Sequence, residues 1–320
     1  MLKKYFSKEN ICWIIFAAVI FTLITFLMNV GVIGSYYQIT LYNICINVIL
    51  AVSLNLIIGV CGQFSLGHAG FMCIGAYSAA IVVRSMSNLL GFALGVGIGI
   101  VISTIAALIV SIPTLRLRGD YLAIATLGFS EIIRIIVLNL KITNGAAGLS
   151  GIAKLTTWPR PFVLMVASIV IVTNFSRSRQ GRACISIRED EIASEAMGIN
   201  TTRYKTTAFV IGAALASVAG ALYACNFYVI KPDLFTFNKS IDILVMVVFG
   251  GMGSMTGSVI AAAFIGVLNM LLQNFSSIRM VIYGVVLVAI MIFRPGGLLG
   301  TKEFTFSALL HRKRKEKGRK

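Results

Sequence analysis

Residues 188–205 read Arg188-Glu-Asp-Glu-Ile-Ala-Ser-Glu-Ala-Met-Gly-Ile-Asn-Thr-Thr-Arg-Tyr-Lys205, a charged, helix-forming island between segments greasy enough to span a bilayer. The rest of the chain is like the flanks. Of 320 residues, 58% are hydrophobic and only 12% charged, where a soluble domain carries about 25% charged residues. Mean hydropathy is +0.92. Long apolar runs recur throughout, so the solvent of this chain is lipid and it is an integral membrane protein. A charged helix between spans, on the basic side of a membrane, is what a soluble partner needs in order to push such a protein.

Working outward, candidate spans fall at 11–28, 39–60, 64–83, 89–111, 121–139, 161–175, 206–229, 241–250, 254–272 and 278–293. The expected fold is an all-α, polytopic transmembrane bundle of about ten spans, with two glycine-broken segments and a cytoplasmic coupling helix. The stretch 241–250 is too short to cross ~30 Å of hydrocarbon as one helix and runs into Gly250-Gly-Met-Gly253, so a broken or re-entrant element is expected there. Residues 1–301 would form the membrane domain, with a cytoplasmic loop at 176–205, and 302–320 a basic tail. The first apolar stretch is longer than a signal-peptide core and lacks a small-residue cleavage site after it, so it reads as a retained span.

The formal charge of +17 invites a nucleic-acid partner, but its distribution argues against one. Lysine and arginine gather at Lys3, Lys4 and Lys8, at Arg116 and Arg118, in the 176–205 loop and in the tail. Those are the cytoplasmic segments under the positive-inside rule, with both termini inside. The run Arg312-Lys-Arg-Lys315 is suited to anionic headgroups, or is simply a solvated tail. The cysteines, Cys12, Cys45, Cys61, Cys73, Cys184 and Cys225, show neither paired spacing nor C-x-x-C, so no disulfide framework or zinc site is expected.

Few residues could do chemistry. The dipeptide Gly-Lys is absent, and with it any phosphate-binding P-loop; H-E-x-x-H and G-x-S-x-G are missing, and His68 and His311 are the only histidines. No enzyme activity, bound cofactor or metal site is therefore expected. Two glycine-rich breaks stand out: Gly59 to Tyr77, polar at Gln63, Ser65 and His68, and Gly250-Gly251-Met252-Gly253-Ser254 to Gly257. Glycine-interrupted segments in two halves of a chain point to a translocation path, although tight turns between packed helices would also explain them. Glu131 and Arg134 share one face of an apolar span and can pair, as a structural ion pair or a gate. Small-residue stripes, Gly91/Gly95/Gly99/Ser103/Ala107 and Gly212/Ala216/Gly220/Ala224, imply close helix packing. Over 188–200, Ile187, Ile192, Ala196 and Ile199 can share one face of an amphipathic helix, either docking a partner or merely solvated.

Four motifs carry a resemblance: Asn55 to Phe71, Leu115 to Phe129, Arg188 to Tyr204, and Phe293-Arg-Pro-Gly-Gly-Leu-Leu-Gly300. In that order they resemble the branched-chain amino acid ABC transporter permeases, specifically the M-type subunit of the Leu/Ile/Val importer family. The resemblance implies a heterodimer with a sister permease, two ATP-binding subunits that use ATP and magnesium, and an extracytoplasmic binding protein. It implies a multi-pass protein of the bacterial cytoplasmic membrane. It also implies that Arg188, Glu191, Ala193, Glu195 and Gly198 lie in the loop that docks on the ATPases. The match to the importer pattern E-A-A-x-x-x-G is loose: from Glu191 the glycine comes one residue late and Ile192 holds the second position.

Two other readings compete. Urea and short-amide permeases are similar machines with another cargo. A stand-alone channel or ion-coupled carrier would need no ATPase and would leave the 188–205 helix without a task.

Overall fold

The computed structural model describes residues 8–31, 33–114, 119–271, 284–285, 296–298 and 300. Lys3, Lys4, Arg116, Arg118, the tail 302–320 and nearly all of the expected span 278–293 lie outside the described residues. Those described form an all-α bundle: α1 (Lys8–Asn29), α2 (Ser35–Asn55), α3 (His68–Ser85), α4 (Leu89–Thr114), α5 (Asp120–Asn139), α6 (Pro159–Arg177), α7 (Arg179–Glu189), α8 (Glu191–Ala196), α9 (Thr201–Asn226), α10 (Phe237–Gly250) and α11 (Met255–Leu271). Among them, five helices are long and apolar enough to cross a membrane: Ser35–Val60, Leu89–Thr114, Asp120–Asn139, Pro159–Arg177 and Thr201–Asn226.

Beyond its first turn α2 has no exposed residue, and it runs through the middle of the bundle. Every residue from Cys45 to Asn55 is buried, against α6, α9, α10 and α11. The helix then widens into one π-type turn over Leu56–Val60. By contrast, α4 is buried along one side, through Gly91, Phe92, Gly95, Gly99, Ser103, Ala107, Val110 and Ser111, while Leu94, Ile98, Val101, Ile105 and Ile109 point outward.

Both small-residue stripes serve internal packing. A methyl on Gly95 would sit 2.8 Å from Ala79 Cα, and one on Gly99 would sit 2.9 Å from Ser217 Oγ. The Ser103 hydroxyl donates to the Ala213 carbonyl at 2.9 Å, tying α4 to α9. The backbones of α3 and α9 meet closely at Gly75 and Gly220, which leave no room for a side-chain carbon against Ser217 and Met72. Without a hydrophobic force between helices in lipid, this backbone proximity is what holds them together.

At one end of the bundle a two-stranded ribbon, β1 (Leu149–Ser150) on β2 (Val229–Ile230), ties the α5–α6 connection to the end of α9. Trp158, Tyr42, Phe162 and Phe21 form a satellite cluster that fastens α1 to α2 and α6. Two boundaries differ from the sequence expectation. The third helix starts at His68, not 64, because 61–67 is irregular, and α10 starts at Phe237, not 241, while ending at Gly250 as expected after 14 residues.

Replacing Gly220 by Val should force α9 off α3 and cost about 1–3 kcal/mol from overpacking. Gly97→Ala, whose methyl would meet nothing within 4 Å, should be neutral. Melting of the detergent-solubilised protein, followed by size exclusion after heating, separates the two.

Candidate functional site

The 176–205 segment folds as three successive capped helices. Ser178, Asp190 and Asn200 each begin a helix with a side-chain oxygen that accepts a backbone N–H, from Gly181, Ala193 and Arg203 respectively, at 3.0–3.1 Å. Gly198, at φ +80°, closes α8; its N–H and that of Ile199 turn back to Glu195 and Ser194. The single amphipathic helix expected over 188–200 is therefore corrected. Asp190 is extended (φ −153°, ψ 111°) and starts a new helix, which separates buried Ile187 from exposed Ile192.

The acidic residues of this loop are engaged within the chain. Lys205 Nζ donates to Glu191 Oε1 at 2.5 Å, and the Thr201 hydroxyl donates to Glu195 at 2.6 Å, so α8 is clamped onto the start of α9. Ser186 and Ser194 share a hydrogen bond at 2.8 Å, closing α7 against α8. Exposed on α8, beside Ala193, Glu195 and Ala196, are two large apolar side chains: Ile192 is 69% exposed and Met197, at its end, 82%. Ala193 lies in α8 and supplies the capped N–H.

Above this loop the two glycine breaks meet. The Asn55 side chain lies between them: its Nδ2 donates to the Ser254 carbonyl at 2.9 Å, and its Oδ1 accepts from Gly253 N at 2.9 Å. Gly59 leaves no space for a side chain against that amide and the Gly253 backbone. Gly253 itself sits at φ +97°, a conformation that side-chain-bearing residues rarely adopt. Gly250 packs on Gly257, and Leu298 N donates to the Phe249 carbonyl at 2.9 Å, so part of the Phe293–Gly300 motif reaches the same place. From the loop, Arg188 Nη1 donates to the Gly59 carbonyl at 2.6 Å, and the other edge of its guanidinium pairs with Glu189.

Gln63 begins beside the first break, its N–H donating to the Ile57 carbonyl at 3.0 Å, and His68 lies at a different level. His68 Nε2 is 2.7 Å from Ser53 Oγ, which also lies 3.0 Å from the Leu50 carbonyl. Ser53 is seven residues before the end of the π turn, about 10 Å along the helix at its usual rise. Ala69 N donates to Ser240 Oγ near the start of α10. Thus 61–67 climbs back from the breaks into the bundle before α3 begins, with Thr126 Oγ1 accepting Leu66 N at 3.1 Å. The side chains of Gln63, Ser65 and His68 are all buried, and both amide atoms of Gln63 are without a protein partner among the described residues.

Glu131 and Arg134 are paired at 2.7 Å, both partly exposed, and Arg134 also faces Asp233 at 4.0 Å. The pair thus bridges α5 to the turn Pro232–Phe235, apart from the glycine breaks. Sequence reasoning passed over Asn55, Lys205, Ser240 and Asp233. The signal for Asn55 was present: an amide inside a largely apolar span, four residues before a glycine.

Comparisons with known proteins point one way. A family model described as branched-chain amino acid transport system / permease component matches residues 36–293. The high-affinity branched-chain amino acid transport system permease protein LivM of Salmonella typhimurium is 37% identical over 289 residues, covering 79% of this chain and 68% of that protein. LivM of Escherichia coli K12 matches with the same identity and coverage. LivH of Salmonella typhimurium is 34% identical over 148 residues, 46% of this chain and 47% of that protein. No solved structure matches the chain.

Two substitutions probe the geometry. Glu191→Lys sets two ammonium groups together and should lower stability by roughly 1.5–3 kcal/mol, the scale of a charged hydrogen bond; adding Lys205→Glu should restore most of it in the same melting assay. Asn55→Leu keeps the volume but strips both bonds. With Gly253 N–H and Ser254 C=O orphaned at about 1–3 kcal/mol each, folded protein recovered from membranes should fall sharply.

Proposed function

This chain belongs to the family of branched-chain amino acid transport permease components, and we propose that it is the membrane-spanning subunit of an ATP-driven importer of leucine, isoleucine and valine. Its assembly is a heterodimer with a sister permease, two ATP-binding subunits on the cytoplasmic side and an extracytoplasmic binding protein that delivers the amino acid. The relatives LivM and LivH, which both match this chain, supply the rationale for pairing two permeases. ATP and magnesium belong to the partner subunits, and this chain performs no catalysis. About ten crossings place both termini and the 176–205 loop in the cytoplasm of a bacterial cell, with 1–301 as the permease domain and 302–320 as its basic tail.

The observation that carries the docking role is the architecture of α7–α8. A short helix clamped on one side by Glu191–Lys205 and Glu195–Thr201, and presenting Ile192 and Met197 outward, is a rigid apolar knob on a loop between spans. Apolar side chains so exposed on a soluble-facing loop suit burial against a partner protein. In this reading Ile192 and Met197 make the contact, while Glu191 and Glu195 hold the knob in shape. Closure of the ATPase pair moves α8, and the bundle rocks between outward and inward openings. A loaded binding protein must favour one of these states for cargo and ATP to be tied together. Gln63, Ser65 and His68, in the irregular climb before α3, line the path, and the breaks at Gly250, Gly251, Gly253 and Ser254 form its cytoplasmic end. Glu131 and Arg134 brace its opposite end.

The test is purification of tagged protein from native membranes in mild detergent, with mass spectrometry of co-purifying chains and uptake assays in vesicles. ATP-binding subunits, a second permease and ATP-dependent leucine uptake are the expected result. Met197→Glu should reduce ATPase recovery while the amount of permease in the membrane stays unchanged. ATP-dependent uptake of urea with no leucine uptake would reassign the cargo. A homo-oligomer that transports without ATP would sink the importer reading.

A further inference from the structure

We infer that Arg188 is the residue through which movement of the 176–205 loop reaches the bundle: its guanidinium latches α7 onto the two glycine breaks, and its release opens them. The inference rests on the reading of this loop as the part driven by the ATPase subunits.

Geometry singles out the position. In the wide turn that ends α2, the N–H groups of Gly62 and Gln63 donate back to Ile58 and Ile57. The Gly59 carbonyl is thereby left for Arg188, at 2.6 Å. The stem of Arg188 is equally confined, since a side chain on Gly62 would lie 2.8 Å from Arg188 Cγ. A side chain on Gly253 would lie 3.1 Å from Arg188 Nη1. One guanidinium therefore sits against both breaks, which Asn55 stitches to each other. Its opposite edge is held by Glu189, 68% exposed at the end of α7, next to the cap of α8. Any rotation of α8 about Asp190 pulls on that edge.

Arginine suits the task because its planar fork satisfies a carboxylate on one edge and a carbonyl on the other, which an ammonium cannot do. A second pair of groups marks the same contact. Cys61, beside Gly62, and Cys184, one helical turn before Arg188 and donating its thiol to the Tyr204 carbonyl at 3.6 Å, are both buried where α7 packs on the wide turn. They offer a native reporter of whether α7 leaves the break during transport.

The experiment uses the intact transporter purified from native membranes and reconstituted in vesicles. Arg188→Lys and Arg188→Ala should cut amino acid taken up per ATP hydrolysed by about tenfold, the scale of one charged hydrogen bond, with hydrolysis itself held within about twofold. Uptake and hydrolysis falling in proportion, or neither falling, would overturn the latch. If the alanine variant fails to assemble, the lysine variant and the native cysteines decide. Oxidation with diamide, which takes two electrons and two protons from the thiols, should join Cys61 to Cys184, arrest uptake, and be reversed by dithiothreitol. Cys184→Ala should be immune to it. A disulfide-bonded transporter importing at the untreated rate, or no disulfide under any nucleotide condition, counts against the latch. A wild-type complex that imports without ATP fails at the functional reading; one that imports with ATP but ignores these changes fails only here.

Discussion

A backbone that stops being helical inside lipid leaves amide and carbonyl groups with no water to receive them, and each must find a partner within the protein. In this bundle the Asn55 side chain meets that demand at its most exposed point. A carboxamide is both donor and acceptor, so one residue serves the Gly253 N–H and the Ser254 carbonyl together. The arrangement fixes other positions in turn. Asn55 must lie on α2, deep enough to be dry. Gly59 must be bare for the second break to come within reach, and Gly253 must take up positive φ for its N–H to turn toward the amide.

From that junction the burial of α2 follows. A helix that carries the stitching residue has to be surrounded, and a largely apolar run from Cys45 onward permits burial on all sides with polar side chains only at Asn47, Ser53 and Asn55. The surrounding helices must then approach closely without a hydrophobic drive between them. The stripes on α4 and α9, with Gly75 on α3, supply that approach, and Ser103 adds one bond across it. The outward residues of α4 are free to be large because none of the described residues covers them.

Much of this was legible in the sequence, and what was missed has a common cause. The apolar runs, the stripes, the two breaks and the shortness of α10 are local patterns, and periodicity or composition reports them directly. The partner of a polar residue is not local. Glu191 and Glu195 read as residues of a docking loop, yet Lys205 and Thr201, on the following helix, take them both. Asp190 was counted among the charges, when its chemistry as a helix cap was the information it held. The residues expected to line a path fell into one group by sequence because 61–67 is short; the structure spreads Gln63 and His68 over two levels because that segment leaves the helix.

A latch between a driven loop and a sealed bundle has to hold without locking. A charged hydrogen bond such as Arg188 to Gly59 contributes roughly 1.5–3 kcal/mol. Swinging a two-state equilibrium from 1:99 to 99:1 takes about 5.5 kcal/mol. Arg188 alone can therefore bias the closed arrangement but not complete it, and the remainder falls to contacts that change alongside it. The Asn55 bonds are poor candidates for release, since breaking them orphans buried backbone in lipid. Contacts between the α7–α8 pair and the break, packed around Cys61 and Cys184, can separate at lower cost because they are largely van der Waals in character. Motion is accordingly expected between the loop and the two breaks, with the breaks themselves moving as one stitched unit.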